Sequence, residues 1–167
     1  MYYIGIDVGG TNLKAGLVRE DGQILAVERT PLAFENPEQF ARTLAQLGQS
    51  VLRQAGVPAS EVVSAGIGIP GAVAGGDILY TCNIPLRDVP LSRLFRQYLD
   101  VPVLLENDAN CAAIGEYWAG AAKDCDPAVV VTLGTGIGGG LVVGGKLYTG
   151  FGGAGMEAGH MVIHPGG

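Results

Sequence analysis

The stretch Ile4-Gly5-Ile6-Asp7-Val8-Gly9-Gly10-Thr11-Asn12 decides how the rest of this chain is interpreted. Its apolar start predicts a buried strand, and the glycines and threonine that follow predict a tight turn. Because glycine carries no Cβ, the backbone N–H groups of such a turn can wrap a phosphate group. The stretch therefore predicts a phosphate-binding turn at the end of a strand.

A second stretch repeats this arrangement later in the chain. Val129-Val130-Val131-Thr132-Leu133 predicts a strand, and Gly134-Thr135-Gly136-Ile137-Gly138-Gly139-Gly140 follows it. Neither turn is a Walker P-loop or a Rossmann fingerprint, because the Gly-Lys-Ser/Thr ending is absent and the second turn leads into another strand. Two such turns predict two walls of one nucleotide cleft.

The composition describes a globular chain with no basic surface. Of 167 residues, 48% are hydrophobic and 16% are charged, with a net charge of −6. Without basic clusters, we expect neither a nucleic-acid partner nor an anionic membrane surface. A phosphate site would then depend on backbone N–H groups and a metal ion.

Glycine is the compositional outlier. The chain has 28 glycines, where average usage would give about 12. Fourteen of the 28 fall between Gly134 and Gly167. This clustering indicates special backbone geometry in that segment.

The cysteines and the hydropathy pattern indicate a cytoplasmic protein. Cys82, Cys111 and Cys125 show no pairing pattern, which is typical of free thiols in a reducing compartment. We expect no signal peptide, because no charged segment precedes an apolar one at the N-terminus. We expect no membrane span, because no apolar run reaches about 18 residues.

The hydrophobic periodicity predicts alternating strands and helices. Asp21-Gly22 predicts a hairpin turn, and Asn36-Pro37 predicts a helix start with Asn36 as its N-cap. The predicted strands are residues 2–6, 13–18, 23–30, 62–69, 101–105, 129–133, 141–143 and 146–148, and the predicted helices are 37–55, 91–99 and 107–119. Residues 70–90 are expected to be rich in turns.

The order strand, glycine turn, strand, tight turn, strand occurs twice. This duplication predicts an α/β protein with two related lobes. We place the first lobe at residues 1–107 and the start of the second at 108–167. The second lobe is expected to be incomplete, because a sheet needs more chain to cover both of its faces.

Three groups of polar residues are candidates for chemistry. Asp7 ends the first strand beside the glycine turn, where its carboxylate could hold Mg²⁺ directly or through water while Gly10 and Thr11 contact phosphate oxygens. The alternative is an ordinary turn capped by an aspartate. In Glu106-Asn107-Asp108-Ala109-Asn110, Asp108 could act as a general base and Asn107 could hold the substrate. The alternative there is simple helix capping.

The third group contains both histidines of the chain. If residues 160–164 form a strand, His160 and His164 share one face, near Glu157. Such a group could bind a metal or a polyol, and the alternative is a structural histidine. Asn83 is a weaker candidate for a substrate contact.

Taken together, these motifs resemble the ROK family (repressor, open reading frame, kinase), and within it the glucokinase-like sugar kinases. The matching stretches occur in the family's order and cover nearly the whole chain: 4–14, Gly66-Ile67-Gly68-Ile69-Pro70-Gly71, Glu106-Asn107-Asp108-Ala109-Asn110, 133–140 and Glu157-Ala158-Gly159-His160-Met161. The resemblance implies the actin-like ATPase (ribonuclease H-like) fold. It implies ATP and Mg²⁺ as cofactors and a hexose as the substrate.

The resemblance also implies a role for each matching residue. Asp108 corresponds to the catalytic base, and the sugar side corresponds to Gly71, Asn83, Asn107, Glu157 and His160. The phosphate contacts correspond to Gly9, Gly10, Thr11, Asn12, Lys14, Gly134, Thr135 and Gly136, with Asp7 near the Mg²⁺. The counterpart of His160 also binds a structural zinc.

The chain departs from the family pattern after His160. A cysteine-rich zinc motif is expected about ten residues further on, and the sequence reaches Gly167 before it. We therefore expect an N-terminal portion that is inactive by itself, belonging to a complete protein that is a homodimer.

Several functions remain open from the residues alone. The favoured one is phosphorylation of glucose at the 6-hydroxyl, with N-acetylmannosamine, N-acetylglucosamine and fructose as alternative substrates. A non-catalytic ROK-type sugar-sensing repressor is a second class, although only six residues precede Asp7 and leave no room for a helix-turn-helix module. An actin-like structural protein is the third class, which the Asn107, Asp108, Glu157 and His160 motifs disfavour.

Overall fold

The computed structural model describes residues 1–153 and 155–164. Within them the strands are β1 Tyr2–Val8, β2 Asn12–Arg19, β3 Ile24–Pro31, β4 Val62–Ile69, β5 Gly71–Ala74, β6 Asp77–Thr81, β7 Arg87–Val89, β8 Val103–Asn107, β9 Ala128–Leu133, β10 Ile137–Val143 and β11 Lys146–Leu147. The α-helices are α1 Pro37–Ala55, α2 Leu91–Arg96 and α3 Asp108–Ala119. Short 3-10 turns cover Ala59–Glu61, Phe151–Gly153 and Ala158–His160.

The chain forms two compact units, Met1–Asp108 and Ala109–Gly167. The first unit is built on a five-stranded sheet in the order β3-β2-β1-β4-β8. In this sheet β4 runs parallel to both β1 and β8, whereas β2 and β3 are antiparallel neighbours. The carboxyl ends of β1, β4 and β8 therefore meet at one edge, which we call the carboxyl edge.

Helix α1 covers one face of this sheet and supplies much of the core. Its start is capped by Asn36, whose Oδ1 accepts the N–H of Gln39 at 2.9 Å, as the sequence predicted. Its end is Gly56, which adopts a left-handed φ of 67°. Fully buried side chains from the helix and the sheet form the core, among them Ile4, Leu13, Leu17, Phe40, Leu44, Val51 and Ile67.

Residues 70–90, expected to be rich in turns, contain a second sheet in the order β5-β6-β7. The sequence signal is weak because the strands are only three to five residues long. Gly75 and Gly76, both with positive φ, form the turn between β5 and β6. In β6 and β7 only Ile78 and Val89 are buried, so no periodic apolar pattern marks these strands.

The second unit has a smaller core. A three-stranded sheet in the order β11-β10-β9 is joined by antiparallel pairing. Its buried apolar cluster consists of Ala113 from α3, Ala128 from β9 and Val142 from β10. Among the described residues, no helix combines the length and the apolarity needed to span a membrane. Cys82, Cys111 and Cys125 are free thiols.

Candidate functional site

The first glycine turn joins β1 to β2 and divides into a structural part and an open part. The N–H of Gly9 donates to the carbonyl of Asn12 at 3.0 Å, and a Cβ at Gly9 would lie 2.9 Å from that oxygen. Gly9 is therefore required to close the turn, and its N–H already has a partner. Gly10 and Thr11 are exposed, with open space around the Cα of Gly10. These two residues are the ones that can meet a ligand.

Polar side chains form a row beside this turn. Asp7 is in register with Lys14 of β2 on one side and with Gly68 of β4 on the other. Gly68 is in turn in register with Glu106 of β8. Residues in register on neighbouring strands share a face, and strands lie about 4.8 Å apart, so Asp7 and Glu106 are separated by about 10 Å. This face is the one opposite to the buried side chains that pack on α1.

The junction between β8 and α3 carries the motif that the sequence singled out. Asn107 is the last residue of β8, and Asp108 is the first residue of α3. The Asn107 side chain donates from Nδ2 to the carbonyl of Gly71 at 3.3 Å. A carboxylate in the first turn of a helix is stabilised by the N–H groups that the helix leaves unpaired there. Asp108 lies in that first turn of α3.

Glu106 makes a contact that the sequence pattern does not predict, although the residue belongs to the same motif. Its Oε1 accepts the backbone N–H of Asn107 at 2.8 Å. A side chain that binds the backbone of the next residue leaves no periodic pattern. The one signal for Glu106 in the sequence is its position directly before two candidate site residues.

Gly71 begins β5 next to this junction, and Asn83 lies in the loop after β6. Gly71 pairs with Thr81 across β5 and β6, and a Cβ at Gly71 would collide with the carbonyl of Tyr80. The loop after β6 is held by the Thr81 hydroxyl, which bonds to the carbonyls of Ile84 and Leu86. Asn83 is exposed in that loop. Gly71 is thus needed for close packing, and its carbonyl already receives the Asn107 amide.

The second glycine turn, between β9 and β10, is open at its tip. Gly134 donates its N–H to the carbonyl of Gly136 at 2.9 Å, and the space around both Cα atoms is open. Thr135 between them is exposed. These three residues form the turn itself and are the part that can meet a ligand.

The glycines that follow in β10 are required for packing. A Cβ at Gly138 would lie 2.8 Å from the Cβ of Ala109, and one at Gly140 would collide with the Cβ of Ala113. Helix α3 therefore approaches β10 closely only because these positions are glycine. The sequence suggested the whole glycine run as a phosphate turn. In the structure only residues 134–136 form the turn, and Gly138 and Gly140 are needed for the packing of α3.

Glu157 and His160 lie together in the second unit. The 3-10 turn Ala158–His160 brings His160 Nε2 to 3.6 Å from Glu157 Oε2, and both side chains are largely exposed. A Cβ at Gly159 would collide with the carbonyl of Ile137, so this turn lies directly on β10.

The strand considered for residues 160–164 does not form. The N–H of His160 donates to the carbonyl of Glu157 at 3.0 Å, which closes a turn, and residues 161–164 belong to no helix or strand. The alternation of His160, Val162 and His164 was too short to define a strand. The condition under which His160 and His164 would share one strand face is therefore not met.

The described residues offer a partial fit to the two expected metals. Mg²⁺ is usually held by one or two carboxylates together with substrate phosphates and water, and the exposed carboxylate of Asp7 fits that role. Structural zinc needs four ligands. In the described part of the chain no group of three or more His, Cys, Asp or Glu residues is close enough to hold a metal. His160 and Glu157 therefore do not form a zinc site by themselves.

Comparison with known proteins gives matches over nearly the whole chain. The sequence profile described as the ROK family matches residues 3–167. The glucokinase of Thermotoga maritima is 41% identical over 98% of this chain and 51% of its own length. An N-acetyl-D-glucosamine kinase of Vibrio cholerae is 36% identical over 96% of this chain and 52% of its own length. The chain thus spans about half the length of these relatives.

Solved structures give the same match in three dimensions. The crystal structure of a ROK family glucokinase from Streptomyces griseus, in complex with glucose and AMPPNP, superposes with a TM-score of 0.88 at 36% identity. The match covers 100% of this chain and 52% of that one. Structures of this kind have the actin-like ATPase fold, so the predicted α/β fold is confirmed.

Proposed function

The chain belongs to the ROK family, and from this premise we propose that the whole protein phosphorylates a hexose at the 6-hydroxyl with ATP, glucose being the favoured sugar. The observation that carries the proposal is the convergence at the carboxyl edge. Asp7, Asn107 and Asp108 come from the ends of β1 and β8 and the start of α3, beside the open residues of the first glycine turn. This set combines a base, a hydrogen-bonding amide and a phosphate turn within one unit.

Asp108 has the role of general base. As the sugar O6 attacks the γ-phosphorus of ATP, Asp108 accepts the proton of the 6-hydroxyl. The new P–O bond forms while the bond from the γ-phosphorus to the β–γ bridging oxygen breaks, and ADP leaves with that electron pair. Transfer proceeds through a loose transition state, so positioning supplies much of the acceleration.

In each unit, the open part of the glycine turn would offer groups to phosphate oxygens. Gly10 and Thr11 supply N–H groups and a hydroxyl in the first unit, and Thr135 and Gly136 do so in the second. Lys14, exposed and in register with Asp7, adds a positive charge. When bound, Mg²⁺ neutralises charge on the transferred phosphoryl group, and Asp7 is the residue that would hold it, directly or through water.

The sugar would be held by polar groups that have several hydrogen-bonding options. Asn107 has an amide group, which can donate to one sugar hydroxyl and accept from another. Glu157 and His160 form an exposed acceptor and donor pair at 3.6 Å. A pair of this kind suits neighbouring hydroxyls of a pyranose ring. Asn83 is an exposed amide in the loop that packs beside Gly71.

The test is a coupled assay of ADP release with the whole protein. We expect glucose to be phosphorylated, and 6-deoxyglucose, which lacks the accepting hydroxyl, to be inert. Asp108→Asn should lower kcat by about 10²–10⁴-fold while sugar binding is largely kept, because the amide keeps the shape but cannot accept the proton. Asp100→Asn, at an exposed carboxylate paired with Arg96, is the matched control. Near-normal turnover in Asp108→Asn would contradict the assignment.

An N-acetylhexosamine is the second candidate substrate, favoured by the 36% identity to the N-acetyl-D-glucosamine kinase. The same assay with glucose, N-acetylglucosamine, N-acetylmannosamine and fructose ranks them by kcat/KM. A preference of more than about tenfold for an N-acetylated sugar, which corresponds to about 1.4 kcal/mol, would replace glucose in the proposal without changing the role of Asp108.

A further inference from the structure

Glu106 makes a contact with the backbone of the neighbouring site residue Asn107. Its carboxylate is partly buried, and its Oε1 accepts the N–H of Asn107 at 2.8 Å. This N–H lies at the point where β8 ends and α3 begins. The side chain of Glu106 therefore helps to hold the peptide that joins residues 106 and 107.

The same turn is fixed from the other side through Asn107. Its amide donates to the carbonyl of Gly71, and Gly71 is held against Tyr80 and Thr81 so tightly that no Cβ fits. Besides the pairing of β8 with β4, the turn thus has a side-chain anchor made by Asn107 to β5 and another made by Glu106 to the backbone. Asp108 is the first residue beyond both anchors.

We propose that Glu106 is a positioning residue for the phosphoryl transfer, acting through Asn107 and Asp108. The inference rests on the proposed function. Glu106 accepts a hydrogen bond and holds the strand-to-helix turn, so that the Asp108 carboxylate stays in line with the sugar hydroxyl. A misplacement of about 1 Å at a reacting group can cost about 10²-fold in rate. The requirement is for an acceptor oxygen in this place, and the negative charge is not needed.

The competing role for Glu106 is a direct one, for instance as a second carboxylate for Mg²⁺ on the same sheet face as Asp7. The two roles differ in what glutamine can replace. The amide oxygen of glutamine can accept the Asn107 N–H as a carboxylate does, but it is a poor substitute for an anionic metal ligand. Glu106→Gln and Glu106→Ala therefore separate the two roles.

Glu116 of α3 provides a matched control for Glu106. Its Oε2 accepts the N–H of Ala121 at 2.7 Å, which is the same kind of carboxylate-to-backbone bond at the opposite end of α3. Removing it perturbs the helix end without touching the β8–α3 junction. We expect Glu116→Ala to leave kcat within about twofold of the unchanged protein, since it moves no reacting group.

The experiment measures kcat and KM of the whole protein and its Glu106→Ala, Glu106→Gln and Glu116→Ala variants. We expect Glu106→Ala to lower kcat by about 10–100-fold with the KM for ATP within threefold, and Glu106→Gln to recover at least half of that loss on a logarithmic scale. A Glu106→Ala kcat within threefold of the unchanged protein would overturn the proposal. A Glu106→Gln variant that recovers less than half of the loss, or that needs more Mg²⁺, would also overturn it.

Amide hydrogen exchange at Asn107 keeps the test independent of activity. We expect exchange to be slow in the unchanged protein and in Glu106→Gln, and at least tenfold faster in Glu106→Ala, with circular dichroism unchanged. If no sugar is phosphorylated, the proposed function fails while the exchange result still tests the anchor. If exchange responds as expected and kcat does not, the positioning role fails and the kinase assignment stands.

Discussion

Two glycine turns of similar sequence, one between β1 and β2 and one between β9 and β10, lie on strands that are packed in different ways. The first is closed by Gly9 and continues into β2, whose inner side chains are large and buried, such as Leu13 and Leu17. The second continues into β10, where Gly138 and Gly140 occupy the inner face so that α3 can approach. One turn rests on a deep apolar core, whereas the other rests on a close contact between backbones.

The difference extends to the units that carry the turns. In the first unit the core is a large cluster that includes Phe40 and Phe95, both fully buried. In the second unit the cluster consists of two alanines and Val142. The outer face of β9 leaves Val129, Val131 and Leu133 between 52% and 80% exposed. The two units share the glycine-turn motif, but their cores differ in size, and we therefore expect their stabilities to differ.

The largest expected effect is the loss of a core ring in the first unit. Phe40 is 0% exposed, so Phe40→Ala should lower the free energy of unfolding by about 3–5 kcal/mol through lost burial and a residual cavity. Urea unfolding followed by circular dichroism measures this. Phe151→Ala, at a fully exposed ring in the second unit, is the control and should change it by less than about 0.5 kcal/mol. Equal effects at the two positions would contradict the contrast between the cores.

The next effect separates the two kinds of glycine in the second turn. Gly140→Ala places a methyl group against Ala113, and such overpacking should cost about 1–3 kcal/mol. Gly134→Ala has open space around it and serves as the matched control, with an expected change below about 0.5 kcal/mol. The melting temperatures of both variants provide the measurement. If Gly134→Ala is the more destabilising of the two, the division of the glycine run is wrong.

These glycines also show how much of the fold could be predicted from the sequence. The strands of the first sheet and α1 could be predicted because long apolar runs and an Asn-Pro start leave periodic signals. The packing role of Gly138 and Gly140 could not, since a glycine that avoids a clash looks the same in sequence as one that forms a phosphate turn. The strands β5, β6 and β7 could not be predicted either, because they bury too few side chains to show an alternating apolar pattern.

Some features of the candidate site could likewise be predicted from the sequence, and others could not. Asp7, Asn107 and Asp108 could be placed at strand ends, and the parallel order of β1, β4 and β8 explains why they meet at one edge. The contact between Glu106 and the Asn107 N–H depends on side-chain torsions that no periodic pattern records. The strand considered for residues 160–164 does not form, and a backbone hydrogen bond from His160 to Glu157 closes a turn at its start.

A smaller effect is expected from the polar pair of the second unit. In the whole protein, Glu157→Gln should raise the KM for the sugar by about 3–10-fold, since a hydrogen bond to a charged group is replaced by a neutral one. The KM for ATP should stay within twofold. Glu61→Gln, at an exposed glutamate of the first unit, is the control. A rise in the KM for ATP with no change in the KM for the sugar would contradict the assignment of Glu157 to sugar binding.

The smallest expected effect tests how charge supports the tight turn between β2 and β3. Hydrogen bonds from Arg19, at 3.0 Å from Nε to Oδ1, and from the N–H of Gln23 lower the pKa of Asp21 from 3.8 to about 2. A carboxyl whose pKa is lower in the folded state stabilises that state above its unfolded pKa. The contribution of Asp21 should therefore be complete above pH 3.8 and lost as the pH falls toward 2.

The measurement is the difference in melting temperature between the unchanged chain and Asp21→Asn over this pH range. We expect a small difference above about pH 4 that shrinks as the pH falls through about 2, and that weakens in 1 M salt because both partners are exposed. The second unit supports its own tight turn with Asp126, whose Oδ1 accepts the N–H of Gly144 at 2.8 Å, a contact that involves no arginine. A difference for Asp21→Asn that stays constant from about pH 5 to 2 would show that the turn is held by its backbone geometry, and the charged pair would then add nothing to the first unit.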